Sequence, residues 1–168
     1  MPRFTGAVLG AARAGTSSQT TRPAYSNGRV ARIARDLWTG DAAQNDDVVL
    51  AEVDWNTVID ETSFINFTDF GTGVNLDVGV AVGPSGANIN CLVSGQDIST
   101  AAGTAGLLRS VAITARHQPL WQLAGFASLQ AARSATRATD GRAVIIATFK
   151  DGNPVAGTLA WTIFGSPQ

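Results

Sequence analysis

The sequence predicts an all-β fold: an antiparallel β-sandwich of the jelly-roll or immunoglobulin-like type, with one short helix and an extended N-terminal arm. Three observations predict it. Seven or eight short apolar runs are separated by Gly, Asp and Asn turns, in a chain of 168 residues with eighteen glycines. No long helical pattern lies between those runs, which argues against a parallel α/β layout. The first 35 residues carry six arginines and no acidic residue, whereas the rest carries six basic and thirteen acidic residues. A formal charge of −1 is thus split into a leader near +6 and a body near −7.

Residues 1–29 read as the arm and residues 30–168 as the sandwich domain. Pro2 and Pro23 disfavour helix around them, and Gly6, Gly10, Gly15 and Gly28 punctuate the segment. The arm has no sustained apolar period, so it cannot bury enough surface to offset its own ordering entropy. It is expected to order against something else.

The body begins with residues 30–38, which suit a strand or a helix equally. Residues 48–55 read as a strand in which Val49, Ala51, Val53 and Trp55 form a wholly apolar, inward set. Residues 57–67 give a third strand, interrupted by a bulge or bend at Asp60-Glu61-Thr62. Val74, Leu76, Val78, Val80 and Val82 make the clearest period-two pattern, and residues 88–94 return across Gly83-Pro84-Ser85-Gly86 as a hairpin. Residues 97–106 are small and polar, hence a loop, and residues 107–115 read as another strand. The short helix is His117 to Gly125, with Pro119 at its first position and Gly125 just past its end. Residues 130–139 are weakly helical or irregular. Residues 144–149 and 158–164 read as a terminal hairpin around Asp151-Gly152-Asn153.

Composition narrows the function classes. Hydrophobic residues at 45% place the body among globular chains, and charged residues are only 15%. Low surface charge suits packing against neighbours; a small monomer rich in Ala and Gly gives the same value. Lys150 stands alone against eleven arginines, as fixed interfaces favour and as high genomic GC content also produces. Cys91 is single, so no internal disulfide is implied, and its setting suits a buried small hydrophobe. No run approaches the roughly 18 apolar residues of a membrane span. The N-terminus lacks the build of a secretion signal, so synthesis is expected in the cytosol.

One histidine and one cysteine exclude a His/Cys metal cluster. Nucleophile-elbow, phosphate-loop and dinucleotide motifs are missing from the sequence. His117, beside Arg116, is expected to hydrogen-bond or cap locally. Asp54, Asp60, Glu61 and Asp69, and Asp41, Asp46 and Asp47, read as solvated loop faces; the oxygen-ligand alternative, Ca²⁺, lacks its usual spacing. Trp38, Trp55, Trp121 and Trp161 fall on four separate elements and suit core packing, with a sugar-binding platform as the other use. No catalytic residue, cofactor or metal is assigned, and the expectation is a protein that is not an enzyme.

The candidate partner-binding residues are Arg3, Phe4, Arg13, Arg22, Tyr25, Arg29, Arg32 and Arg35. Their arginines are dispersed, without aromatic interleaving or a helix-turn-helix pattern, which argues against specific nucleic-acid readout. Dispersed Arg on extended chain fits better along an acidic protein surface, with main-chain pairing to an exposed strand edge.

Three stretches in order are similar to a group of small structural proteins of tailed bacteriophages. They are Phe70-Gly71-Thr72-Gly73-Val74-Asn75-Leu76-Asp77-Val78-Gly79-Val80, Pro119-Leu120-Trp121-Gln122-Leu123-Ala124-Gly125 and Ala156-Gly157-Thr158-Leu159-Ala160-Trp161-Thr162-Ile163. The chain from about Val48 to Phe164 resembles the accessory head proteins that decorate or cement the capsid. That resemblance implies a non-enzymatic virion component, without catalytic residues, whose partner is the major capsid protein or another virion protein. Trimers at local threefold positions would be a natural arrangement. Other virion positions (tail tube, tail terminator, head-fibre base) and a carbohydrate-binding attachment module are the alternatives.

Overall fold

In a computed structural model the chain is described over residues 3–5, 31–136 and 140–167. The described residues form ten strands: β1 (Arg3–Thr5), β2 (Ala31–Gly40), β3 (Asp47–Val53), β4 (Thr57–Ile59), β5 (Phe64–Phe67), β6 (Asn75–Val82), β7 (Ala87–Asp97), β8 (Gly103–Gly106), β9 (Ala143–Lys150) and β10 (Gly157–Pro167). Two short helices, α1 (Leu120–Leu123) and α2 (Leu129–Ala135), and a 3₁₀ turn at Ile113–Ala115 lie between β8 and β9. The first sheet has the order β1-β3-β9-β6-β7 and the second β2-β10-β5-β8, with β4 also on β10. Every pairing is antiparallel except β1 with β3. The predicted all-β sandwich is the observed fold.

The pairing decides between the two sandwich types. β4 and β5 share one edge of β10 end to end, against Gly165–Pro167 and Leu159–Thr162 respectively, so they act as one interrupted strand. With β1 set aside, the pairing is nested: β2 with β10, β3 with β9, β5 with β8, and β6 with β7. That is a long hairpin rolled over on itself, the jelly-roll arrangement. It also corrects the predicted terminal hairpin. β9 and β10 follow one another in the chain but lie at the centres of opposite sheets. Their connection crosses from sheet to sheet, with Asp151 at φ 65°. Local turn chemistry resembled a hairpin because Asp-Gly serves either connection.

Between the sheets lies one apolar core. It includes Leu76, Val78 and Val80 of β6, Ile145, Ala147 and Phe149 of β9, and Ile65, Leu159, Trp161 and Ile163 of the second sheet, all at most 1% exposed. Trp38 stacks on Phe70 at 6.3 Å between ring centroids, and Phe149 meets both rings at 5.7 and 5.0 Å. These aromatics close one end of the sandwich. Residues 31–40 resolve to strand because their alternate side chains, Trp38 among them, have this core to enter.

Residues 48–53 depart from the simple alternation. Val49 pairs with Ile146 and Ala51 with Ile145, so Leu50 is an extra residue, a β-bulge. The bulge lets Val48, Leu50, Ala51 and Val53 all enter the core. Val49 faces the other way, into a second cluster with Ala81, Val144 and Ile146 on the outer face of the first sheet. The predicted set of Val49, Ala51, Val53 and Trp55 is therefore split. The bulged Leu50 carbonyl accepts the Trp161 indole N–H at 2.8 Å, a buried bond that joins β3 of one sheet to β10 of the other.

A second irregularity is handled by a side chain. β10 shifts register against β2 between Ile163 and Phe164. There the buried Ser63 hydroxyl accepts from the Phe164 N–H at 2.9 Å and donates to the Phe164 carbonyl at 3.1 Å. One hydroxyl thus stands in for a strand residue in the gap between β4 and β5, where the sequence predicts a bend.

The region between β7 and β9 differs most from expectation. Part of the predicted loop at 97–106 is β8, paired with β5. The predicted strand at 107–115 is a chain of turns, in which Arg109 N–H bonds Gly106 O and Val111 N–H bonds Leu108 O. Leu107, Leu108 and Val111 are buried, but their spacing has no period of two. The predicted short helix is α1, with Pro119 as its N-cap and Gly125 beyond its end at φ 79°. Of the two readings of residues 130–139, the helical one holds as far as Ala135: α2 is started by the Ser128 hydroxyl accepting from Ala131 N–H at 3.1 Å.

Trp161→Phe keeps the aromatic area but orphans the Leu50 carbonyl. It is expected to lower stability by about 1–3 kcal/mol, read as a lower urea midpoint with unchanged slope. At Gly79 an added Cβ would lie 1.7 Å from the Ile89 carbonyl oxygen. Gly79→Ala is expected to cost at least about 1–3 kcal/mol in the same measurement, because backbone and not a flexible side chain must move.

Candidate functional site

The chemistry-bearing residues singled out by sequence fall in three groups. Arg3 and Phe4 belong to β1, whose register is Arg3 opposite Asp47, Phe4 opposite Val48 and Thr5 opposite Val49. Arg13, Arg22, Tyr25 and Arg29 lie outside the described residues. Arg32 and Arg35 are exposed on β2, the outer strand of the second sheet, where Leu37 (49% exposed) and Thr39 continue an open row. The described positions are therefore on two sheets: β1 at the border of the first, β2 at the border of the second.

The border at β1 opens onto a polar row that crosses the first sheet. Asp47, 2% exposed, accepts from the Thr148 hydroxyl at 2.6 Å. Thr148 in turn accepts from Asn88 Nδ2 at 2.8 Å. Asp77, the register partner of Thr148 on β6, accepts from Gly95 N–H at 2.8 Å and Asn90 Nδ2 at 3.4 Å. Arg3, Asp47, Thr148, Asp77 and Asn90 thus occupy one level across all five strands. The apolar cluster of Val49, Ala81, Val144 and Ile146 lies on the same face.

The acidic loops have a structural occupation that the sequence reading missed. Asp54, Asp60, Asp69, Asp97 and Asp140 each accept the main-chain N–H two residues ahead, on Asn56, Thr62, Gly71, Ser99 and Arg142. These are Asx turns, in which the carboxylate imitates the next peptide. Asp54, Asp60, Asp69 and Asp97 stand at or just after strand ends, whereas Asp140 precedes β9. Asp46 similarly accepts from Ala43 N–H at 2.8 Å. Among the described residues no group of three or more His, Cys, Asp or Glu is placed to hold a metal ion. The ion pairs Arg116–Glu61 and Arg133–Asp54 are exposed and contribute little.

His117 does not belong to α1. It is an exposed turn residue on the rim of an open depression of about 330 Å³ formed with Val58, Asp60, Glu61, Ile113 and Arg116. A larger, mostly apolar depression of about 580 Å³ lies between the β6–β7 turn and α2, against Val82, Pro84, Ile89 and Phe126. Trp38, Trp55 and Trp161 are buried, and Trp121 is half-buried against the core. Cys91 is half-buried, and desolvation pushes its thiol up to about 12 against the opposing main-chain hydrogen bonds of Cys91 and Val80. The Ser99 hydroxyl, and then its N–H, hold the Asp97 carboxyl below the ordinary carboxylate value.

No family model matches this chain. No curated protein sequence matches it either. Two solved structures are similar to it, the first with a shared fold. A chain in the capsid of Ralstonia phage GP4 superposes with a TM-score of 0.61 and 20% identity, over 89% of this chain and 92% of that one. A chain in the capsid asymmetric unit of cyanophage Pam1 does so with a TM-score of 0.44 and 14% identity, over 90% of this chain and 96% of that one.

Two expectations follow from the site chemistry. The Cys91 thiol stays protonated at pH 8, so iodoacetamide should leave the folded protein unmodified and alkylate it only after unfolding; rapid labelling of the folded form would contradict the burial. Ser99→Ala should raise the Asp97 titration midpoint toward the ordinary carboxylate value, as followed by carboxyl NMR. Because the folded value is depressed, the associated stabilisation is present above the ordinary value and disappears as pH falls through the folded one.

Proposed function

We propose that the protein is a structural component of a tailed-phage virion, most specifically a decoration or head-stabilising protein on the outer capsid shell. The observation that carries this reading is the fold shared with a chain of the GP4 capsid over nearly the whole length of both. A jelly roll by itself hosts many functions, so the fold alone is not sufficient. The charge-split leader, the low charge content and the virion resemblance of three ordered stretches support the same reading.

In this reading residues 1–29 are the arm and residues 30–168 the sandwich. Arg3, Phe4, Arg13, Arg22, Tyr25 and Arg29, continued by Arg32 and Arg35 on the open row of β2, contact the major capsid protein or another virion protein. A stable interface buries about 1,600 Å² in total, which one face of a small sandwich supplies with difficulty. An arm adds area without enlarging the core. Repetition on a symmetric shell then multiplies many shallow contacts through avidity, and trimers at local threefold positions suit that geometry.

Deletion of residues 1–29 is expected to leave a folded body that no longer binds purified heads; unchanged occupancy would remove the arm from the mechanism. Salt raised from about 50 mM to 500 mM should weaken attachment of the full chain, because exposed charges are screened beyond a few ångströms at high ionic strength. Copy number separates shell from tail: occupancy on the order of hundreds per particle fits the shell, and a single ring of three or six subunits fits the tail.

A further inference from the structure

Resting on the decoration reading, we infer that the β3 edge is a strand-acceptor slot that, in the assembled particle, takes residues 3–5 of a second copy of this chain. Four observations carry it. First, β1 stands outside the nested pairing: the other strands complete the jelly roll without it, and it is the one parallel addition. Second, twenty-five residues separate Thr5 from Ala31, and β2 belongs to the opposite sheet. Three residue pairs close that long connection, and the same main-chain bonds form equally well with a neighbour's leader. Exchange of such an element between copies is the usual route by which a tethered strand becomes an intersubunit one.

Third, the slot has a recognition signature. Its register places a basic residue, Arg3, opposite buried Asp47 at the end of the polar row through Thr148 and Asp77. A one-residue slip would set Arg3 opposite Val48 and lose that match. Fourth, the charges favour exchange. Two bodies (residues 30–168) near −5 repel one another, whereas a leader (residues 1–29) near +4 laid across their junction offsets part of that repulsion. On a shell, neighbouring copies are held at fixed spacing, so the neighbour's leader reaches an effective concentration comparable with that of the chain's own.

The test uses full-length chains in a Cys91→Ala background, carried on purified heads and, separately, in concentrated solution. One population, isotopically heavy, carries Phe4→Cys; the other, light, carries Val48→Cys; Thr5→Cys with Val49→Cys is the second pair. Register partners on adjacent strands are within disulfide reach. After mild oxidation, mass spectrometry is expected to find heavy–light peptides joining residues 4 and 48, or 5 and 49. Arg3→Glu should lower that yield at least tenfold. A third, light population carrying both cysteines in one chain is the control: its internal disulfide together with no heavy–light product, on heads and in solution alike, overturns the slot. Heavy–light product in solution without any binding to heads upholds the slot and sinks the decoration reading instead.

Discussion

The two sheets of this sandwich are joined across their core by a hydrogen bond that depends on a defect. A regular β3 would present the Leu50 carbonyl to β9 and leave the Trp161 indole N–H buried without an acceptor. The bulge at Leu50 turns that carbonyl inward, where the 2.8 Å bond satisfies both groups. The same extra residue reverses the alternation of β3. It sends Val48, Leu50, Ala51 and Val53 into the core while Val49 joins the outer face. Which β3 side chains enter the core, and the bond that joins the two sheets, therefore follow from one inserted residue.

That dependence also marks the limit of what the sequence reveals. The period-two run of Val74 to Val82 and the Pro119 and Gly125 boundaries of α1 are legible, because each is a local rule followed locally. The bulge is not, because its signature is a buried donor, the Trp161 indole N–H, more than a hundred residues away. The β9–β10 connection misleads for the same reason: Asp151-Gly152 fits a hairpin turn, and only the partners of the two strands assign them to different sheets. Leu107, Leu108 and Val111 misled differently. They are apolar because they are buried, but turns carry them there, so composition resembled a strand that the spacing did not support.

The partner-binding residues were legible as a group and not as a surface. Dispersed arginines without acidic neighbours identify a leader whose role differs from that of the body. They do not identify which sheet edge it meets. The acidic excess of the body looked like a set of exposed loop charges. Three of those carboxylates, Asp54, Asp60 and Asp69, also fasten the turns that follow apolar runs. Charge in this chain therefore has two uses: positive charge for the leader, and negative charge spent partly on turn geometry. A body built so remains acidic without needing an acidic site, and presents a complementary field to any basic segment laid against it.

The nested order of the strands has a temporal consequence. Sheet two is centred on β10, which ends at Pro167, and sheet one on β9, which begins at Ala143. A nascent chain emerging from the ribosome therefore holds β2, β3, β5 and β6 with their central neighbours still unsynthesised. Pairings this distant in sequence are slow to form and leave strand edges open meanwhile. The body can close only once β10 has been made, so a chain interrupted before Pro167 yields no complete sandwich but an aggregation-prone set of unpartnered strands.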